Sequence, residues 1–235
     1  MDDGRLHIRY RFVLPEDVVK EFDVTLEQDT LGLVPGPREG YPDWTRLTHH
    51  QCGHCTLTPE THPQCPVAAS LVDVVEAFKD LRSCDEADVE IVTEHRSFRK
   101  RTSLQEGLSA LVGIYMVTSG CPFLDKLRPM VYTHAPFASL EETTYRALAM
   151  YGLAQCLRMR RGKEADWEFG GLVKIYQDIG RVNSSFHLRI LDVHVADAGL
   201  NAIVRLDCYA QFTNRILEKG LGSIERLFQP YLNGR

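Results

Sequence analysis

Residues 6–14 alternate between apolar and polar positions: Leu6, Ile8, Tyr10, Phe12 and Leu14 share one face, and His7, Arg9 and Arg11 the other. A period of two marks a strand with one buried side. Pro15-Glu16-Asp17 interrupts it. Phe22, Val24 and Leu26 then alternate with Glu21, Asp23, Thr25 and Glu27, which predicts a second strand. Leu31 and Leu33, after the Gln28-Asp29 turn, predict a short third one, so an antiparallel meander is expected. Arg9 and Arg11 should face the acidic side of the second strand, each pair contributing about 0.2–1 kcal/mol. Residues 87–94 and 97–102 read as a further hairpin turning at Glu94 to Arg96. Its second strand carries Arg99, Lys100 and Arg101, the composition of a solvated edge guarded by charge.

Elsewhere the period lengthens to that of a helix. Leu71, Val74, Val75, Phe78 and Leu81 follow the i, i+3, i+4 rule from Val67 onward. Ser103 and Glu106 form a capping-box pattern before the stripe Leu104, Leu108, Leu111 and Tyr115. Ser119-Gly120-Cys121-Pro122 stops that helix. Beyond about residue 139 helices are expected over Leu140–Arg161, Asp166–Arg181, Asn183–Ala198 and Asn201–Leu232, the last bent or broken at Gly220 and Gly222. Ser139 with Glu142 makes a second capping box. The fold class expected is α+β: a small antiparallel N-terminal β-rich part with a Cys/His metal knuckle (1–120), then a mostly helical C-terminal part (121–235), both sharing one core.

A chain of 235 residues with 44 % hydrophobic and 25 % charged residues can bury a sizeable core. Its net charge of −5 gives no footprint for nucleic acid. Nor does it contain a run of about 18 uncharged apolar residues, so no membrane span is expected. Met1-Asp2-Asp3-Gly4-Arg5 opens unlike a secretory signal, which makes the cytoplasm the expected location. There, seven Cys serve as ligands or buried thiols rather than disulfides.

The chemistry gathers in one window. Between positions 49 and 65 lie His49, His50, Cys52, His54, Cys55, His62 and Cys65, thiolate and imidazole being good ligands for borderline-soft metals. Cys52-x2-Cys55 aims two sulfurs at one point and Cys65 adds a third. A closed zinc site wants four ligands, and either His50 or Cys121, arriving from the helix exit, is the expected fourth. Zinc is thus the expected metal. The alternative is an iron–sulfur cluster on Cys52, Cys55, Cys65 and Cys121, of which Cys65-Pro66 and Cys121-Pro122 have the Cys-Pro form found in ferredoxin-type runs. Steps of 3 and 10 residues followed by a distant Cys match no ferredoxin spacing.

Weaker candidates read structurally. His134, Glu141, Glu142 and Arg146 suggest carboxylate–histidine chemistry, and His134 or Glu141 beside an open zinc would suit hydrolysis. A di-iron bundle would need Glu-x-x-His repeated, which is missing. Arg158, Arg160, Arg161 and Lys163 offset a helix dipole. His187 and His194 share a helix face without a carboxylate or Cys at helical spacing between them. Cys84, Cys156 and Cys208 read as small buried residues.

Four segments together, His50-Gln51-Cys52-x2-Cys55, Cys65-Pro66, Ser119-Gly120-Cys121-Pro122 and Pro136-Phe137-x2-Leu140-Glu141-Glu142-Thr143, resemble those of a bacterial family of functionally uncharacterised proteins. The resemblance covers most of the chain; it implies a bacterial origin and no particular chemistry. The function expected from the residues is therefore a cytoplasmic metal-binding protein with an interaction or regulatory role through an unspecified protein partner. An iron–sulfur redox enzyme or sensor is the alternative.

Overall fold

A computed structural model of the chain describes residues 4–193, 197–219 and 221–233; Met1-Asp2-Asp3, His194 and Gly220 lie outside them. The α+β expectation holds. Strands β1 (Arg5–Val13), β2 (Val19–Glu27), β3 (Glu86–Val92) and β4 (Ser97–Ser103) form one antiparallel sheet, and the chain beyond it is mostly helical. The strand order is β2-β1-β3-β4, so the expected meander is corrected. After β2 the chain leaves the sheet, and β3 returns beside β1. The predicted third strand shrinks to a single bridge between Leu33 and Leu26, because the Leu33 amide also donates to the Thr118 carbonyl at 3.0 Å.

Register follows the alternation. Arg9 lies opposite Asp23 and Arg11 opposite Glu21, with side chains at 3.0 and 3.1 Å. The inner face (Tyr10, Phe12, Val24, Leu26, Val89, Ile91) is fully buried. β4 is an edge: Arg101 pairs with Glu86 and Lys100 with Glu106, both at 3.0 Å, which occupies two of the three basic side chains of its run.

Helices cover the inner face. The segment after Cys65 forms α1 (Pro66–Ser70) and α2 (Val72–Phe78), broken at Leu71, which leaves helical geometry with ψ near 3°. Helix α3 (Leu104–Thr118) lies directly on the sheet. At Gly107 a Cβ would come within 2.9 Å of both Phe12 and Val89, so glycine permits the close approach. The capping box expected at Ser103 does not form. Glu106 instead turns to Thr102, to Lys100 and to Arg205 at 3.3 Å. Ser139 and Glu142 do form theirs, at 2.7 and 3.1 Å, and open α4 (Leu140–Arg160).

Two helix boundaries differ from expectation. Asp166 starts no helix; its carboxylate accepts from Gly171 N–H at 2.7 Å and Tyr151 O–H at 2.8 Å, capping α5 from outside. Helix α5 then runs unbroken over Gly170–Leu191, joining two predicted helices. No Pro interrupts Arg181-Val182-Asn183, and burial of Val182 and Asn183 holds it in place. Helix α6 spans Asp197–Lys219, and residues 222–232 form short helical turns rather than its continuation. Among the described residues no helix is long and apolar enough to cross a membrane.

Candidate functional site

The long excursion between β2 and β3 carries the His/Cys window, and its base is zipped shut. The Cys65 amide donates to the Thr45 carbonyl at 2.8 Å, and that of Leu47 to Pro63 at 2.9 Å. Thr45, fully buried, donates its hydroxyl to the Pro42 carbonyl at 2.7 Å and lies 2.8 Å from the Gln64 amide oxygen. Cys52 and Cys55 are clasped by a 2.9 Å bond from the Cys55 amide to the Cys52 carbonyl. Cys65 immediately precedes α1, where Pro66 suits the first helical position.

Cys121 arrives from elsewhere. Gly120 adopts a φ of +90° at the end of α3, a conformation glycine takes without strain, and delivers Cys121 into the core at 8 % exposure. Burial pushes its thiol up to about 11, although backbone N–H groups of Leu124 and Phe123 point at the sulfur and favour thiolate. Cys65 and Cys52 raise it further. Burial likewise raises the Cys52 thiol, against a hydrogen bond from Ser185, with Cys65 and Cys55 adding to the rise. Three sequence segments thus bring Cys52, Cys65 and Cys121 near enough to influence one another, with Cys55 beside Cys52.

Helix α5 supplies the wall. Ser185, Arg189 and Asp192 recur at spacings of four and three, one helical face, and each meets the window. Arg189 is 2 % exposed. One of its terminal nitrogens donates to the carbonyls of Trp44 and, at 2.7 Å, Arg46. Burial lowers its pKa, and Cys65, Cys52 and Cys55 oppose that, as anionic sulfur beside a buried cation must.

Among the described residues, the set of three ligand-type side chains whose atoms all fall within 4.8 Å of one another is His49, His50 and Asp192. The four thiols are more widely spaced than that. His50 has a left-handed φ of +44°, which swings both neighbouring imidazoles to one side. His50 Nε2 lies 2.8 Å and His49 Nε2 3.2 Å from the same Asp192 oxygen. His54 Nε2 is sealed from water without a hydrogen-bond partner, and His49 Nε2, also sealed, has only its ion-pair contact with Asp192. The His54 ring packs 4.2 Å from that of Phe123, two residues beyond Cys121. His62 is exposed and bonds Thr61 at 3.0 Å.

The remaining candidates disperse. His134 sits on the far side of Tyr10, its Nε2 2.7 Å from the phenol oxygen. Glu142 caps α4. Cys84 and Cys208 are exposed and Cys156 half-buried, so burial does not explain the first two. Sequence reasoning missed Arg189 and Ser185; their spacing with Asp192 was the available signal. Residues 8–229 match the family described as Domain of unknown function (DUF6901). The chain belongs to that family. No curated protein and no solved structure matches it, so within this family the site's chemistry has to be argued from its own residues.

Proposed function

We propose that this family member is a cytoplasmic metal-binding protein whose centre is held by Cys52, Cys55, Cys65 and Cys121. The observation that carries the reading is geometric: the 2.9 Å clasp within Cys52-Gly53-His54-Cys55 lies against the segment after Cys121, with the His54 ring 4.2 Å from that of Phe123, beside buried Arg189. Buried thiols that raise one another's pKa gain nothing by proximity unless a cation takes their protons' place. Donor chemistry fits: soft sulfur, N–H groups aimed at Cys121, a hydroxyl on Cys52, and a guanidinium to offset the charge of a four-thiolate complex.

Two occupants suit these donors, and sulfur spacing in the loaded protein would tell them apart. A single tetrahedral zinc with Zn–S of about 2.3 Å requires sulfurs only about 3.8 Å apart. Thiols that stand more widely suit an iron–sulfur cluster, in which the ligands are distributed over several irons. Bound there, the cluster would supply one-electron redox chemistry or oxidant sensing, and would pin the sheet-side loop to the α3 exit. Structural zinc is the second reading, favoured by the 2.9 Å clasp within Cys52-Gly53-His54-Cys55, a turn suited to holding two sulfurs on one ion. In both readings the pinned loop presents a regulatory docking surface. Anaerobic native purification followed by elemental and sulfide analysis decides. Iron with acid-labile sulfide and broad visible absorption supports the cluster. A colourless protein with one zinc supports the second reading. Neither metal, after anaerobic handling, defeats both.

A further inference from the structure

A second site lies across α5 from the thiols. Helices α3, α4, α5 and α6 and the 3-10 segment Leu124–Thr133 enclose a cavity of about 180 Å³. Its walls are mostly apolar, Ile114, Val117, Ile179 and Leu206 among them, but Arg146, Arg205 and Glu106 also line it.

The two arginines differ in their anionic partners, although Nε of each is sealed without a hydrogen-bond partner. Arg205 has a carboxylate partner, Glu106, at 3.3 Å. Among the described residues Arg146 has no carboxylate within 4.0 Å. One terminal nitrogen donates to the Met130 carbonyl at 2.7 Å, while Nε is sealed from water and has no hydrogen-bond partner. Glu142, one turn before it, is committed to the Ser139 amide. A guanidinium does not discharge itself by losing a proton, and a largely buried cation is costly unless an anion meets it. His134, also lining the cavity, adds hydrogen-bonding capacity and no negative charge.

We propose that this cavity binds a small organic carboxylate, with the carboxylate on Arg146 and the apolar body against Ile114, Val117, Ile179 and Leu206. The size sets the class. A cavity of about 150 Å³ accepts benzene, so 180 Å³ takes a body of roughly six to ten non-hydrogen atoms, an aromatic or short-chain acid. A single cation without a carboxylate partner in a mostly apolar, partly open cavity matches a monoanion better than a phosphate dianion.

The test compares ligands of one shape and different charge on the natively purified protein, by calorimetry and ligand-observed NMR. Benzoate and hexanoate are the probes, with benzamide, hexanamide and hexylamine as neutral and cationic counterparts. Benzoate or hexanoate is expected to bind about tenfold or more tightly than its amide, as a charge-assisted bond to guanidinium implies, and hexylamine not at all. Arg146→Gln should erase the preference for acid over amide while leaving amide binding within about threefold. The proposal falls if neither acid binds, if acid and amide bind alike, or if Arg146→Gln keeps the preference. The wild-type comparison needs no variant to fold, and its outcome does not depend on the metal assigned to the thiols.

Discussion

Replacing Arg189 by Met tests how the thiol site is held. The guanidinium covers two backbone carbonyls, Trp44 and Arg46, from a position 2 % exposed. Removing it leaves both acceptors unpaired, at about 1–3 kcal/mol each. Met fills much of the stem volume, and no longer burying a charge returns part of that cost. The net loss expected is about 3 kcal/mol, which for a chain of this length lowers Tm by about 6–12 °C. Two readouts separate its roles. If Arg189 served only the carbonyls, Tm would fall and the purified variant would keep its full metal content. Because it also faces Cys65, Cys52 and Cys55, metal retention during dialysis against chelator should fall as well. Arg189→Lys, which keeps the charge but not the planar fork, should recover part of both. A Tm within 2 °C of wild type, or unchanged metal retention in the Met variant, would refute the reasoning.

Single Cys→Ser changes at 52, 55, 65 and 121 should each abolish stoichiometric metal, whereas Cys84→Ser, Cys156→Ser and Cys208→Ser leave it intact; elemental analysis reads both, and loss in the second group sinks the assignment. His50→Ala removes only a half-exposed contact with Asp192 at 2.8 Å, so it should cost under about 1 kcal/mol and retain the metal, a result that distinguishes Cys121 from His50 as fourth ligand. Gly107→Ala should destabilise by about 1–2 kcal/mol in urea titration, because overpacking against Phe12 and Val89 at 2.9 Å exceeds the gain in helix propensity. The His134 imidazole is pushed down to about 3, first by burial and then by Arg146, while its unfolded value is about 6.5. The unfolded chain therefore takes this proton first, and stability present above pH 6.5 is lost as pH falls toward 3, by up to about 1.4 kcal/mol per pH unit. Urea midpoints from pH 7 to 4.5 should fall less steeply in His134→Gln; equal slopes would show that His134 contributes nothing.

What could be read from the sequence was local. Strands β1 and β2 are legible because one face is buried, so Tyr10, Phe12, Val24 and Leu26 obey a period of two. The insertion of β3 beside β1 is not, since partner choice depends on where the intervening loop and helices settle. The Ser139 cap is readable and the Ser103 cap misleads, because Lys100 and Arg205 compete for Glu106 and only the folded chain brings Arg205 there. The proposed thiol site was legible as a Cys-x-x-Cys turn, a Cys before a helix and a Cys after a helix stop. Arg189 hides in an amphipathic helix where an arginine ordinarily faces water, and the cavity has no local sequence signature because five segments build it.

Helix α5 ties these observations together. At about 100° per residue, Tyr176, Ile179 and Asn183 lie on the side opposite Ser185, Arg189 and Asp192. The first group lines the cavity and the second meets the thiol window. The proposed thiol site and the cavity also share the segment leaving α3: Cys121 is buried there, and Leu124, Leu127 and Met130 immediately after it line the cavity. A helix that must satisfy a buried site on each side cannot present a simple polar face, which is why Val182, Asn183, Phe186 and Arg189 are all buried along it. The same requirement explains its continuity through residues 181–183: a break there would let the two walls move independently, whereas one rigid rod fixes the thiol site and the arginine-lined cavity in a constant relation.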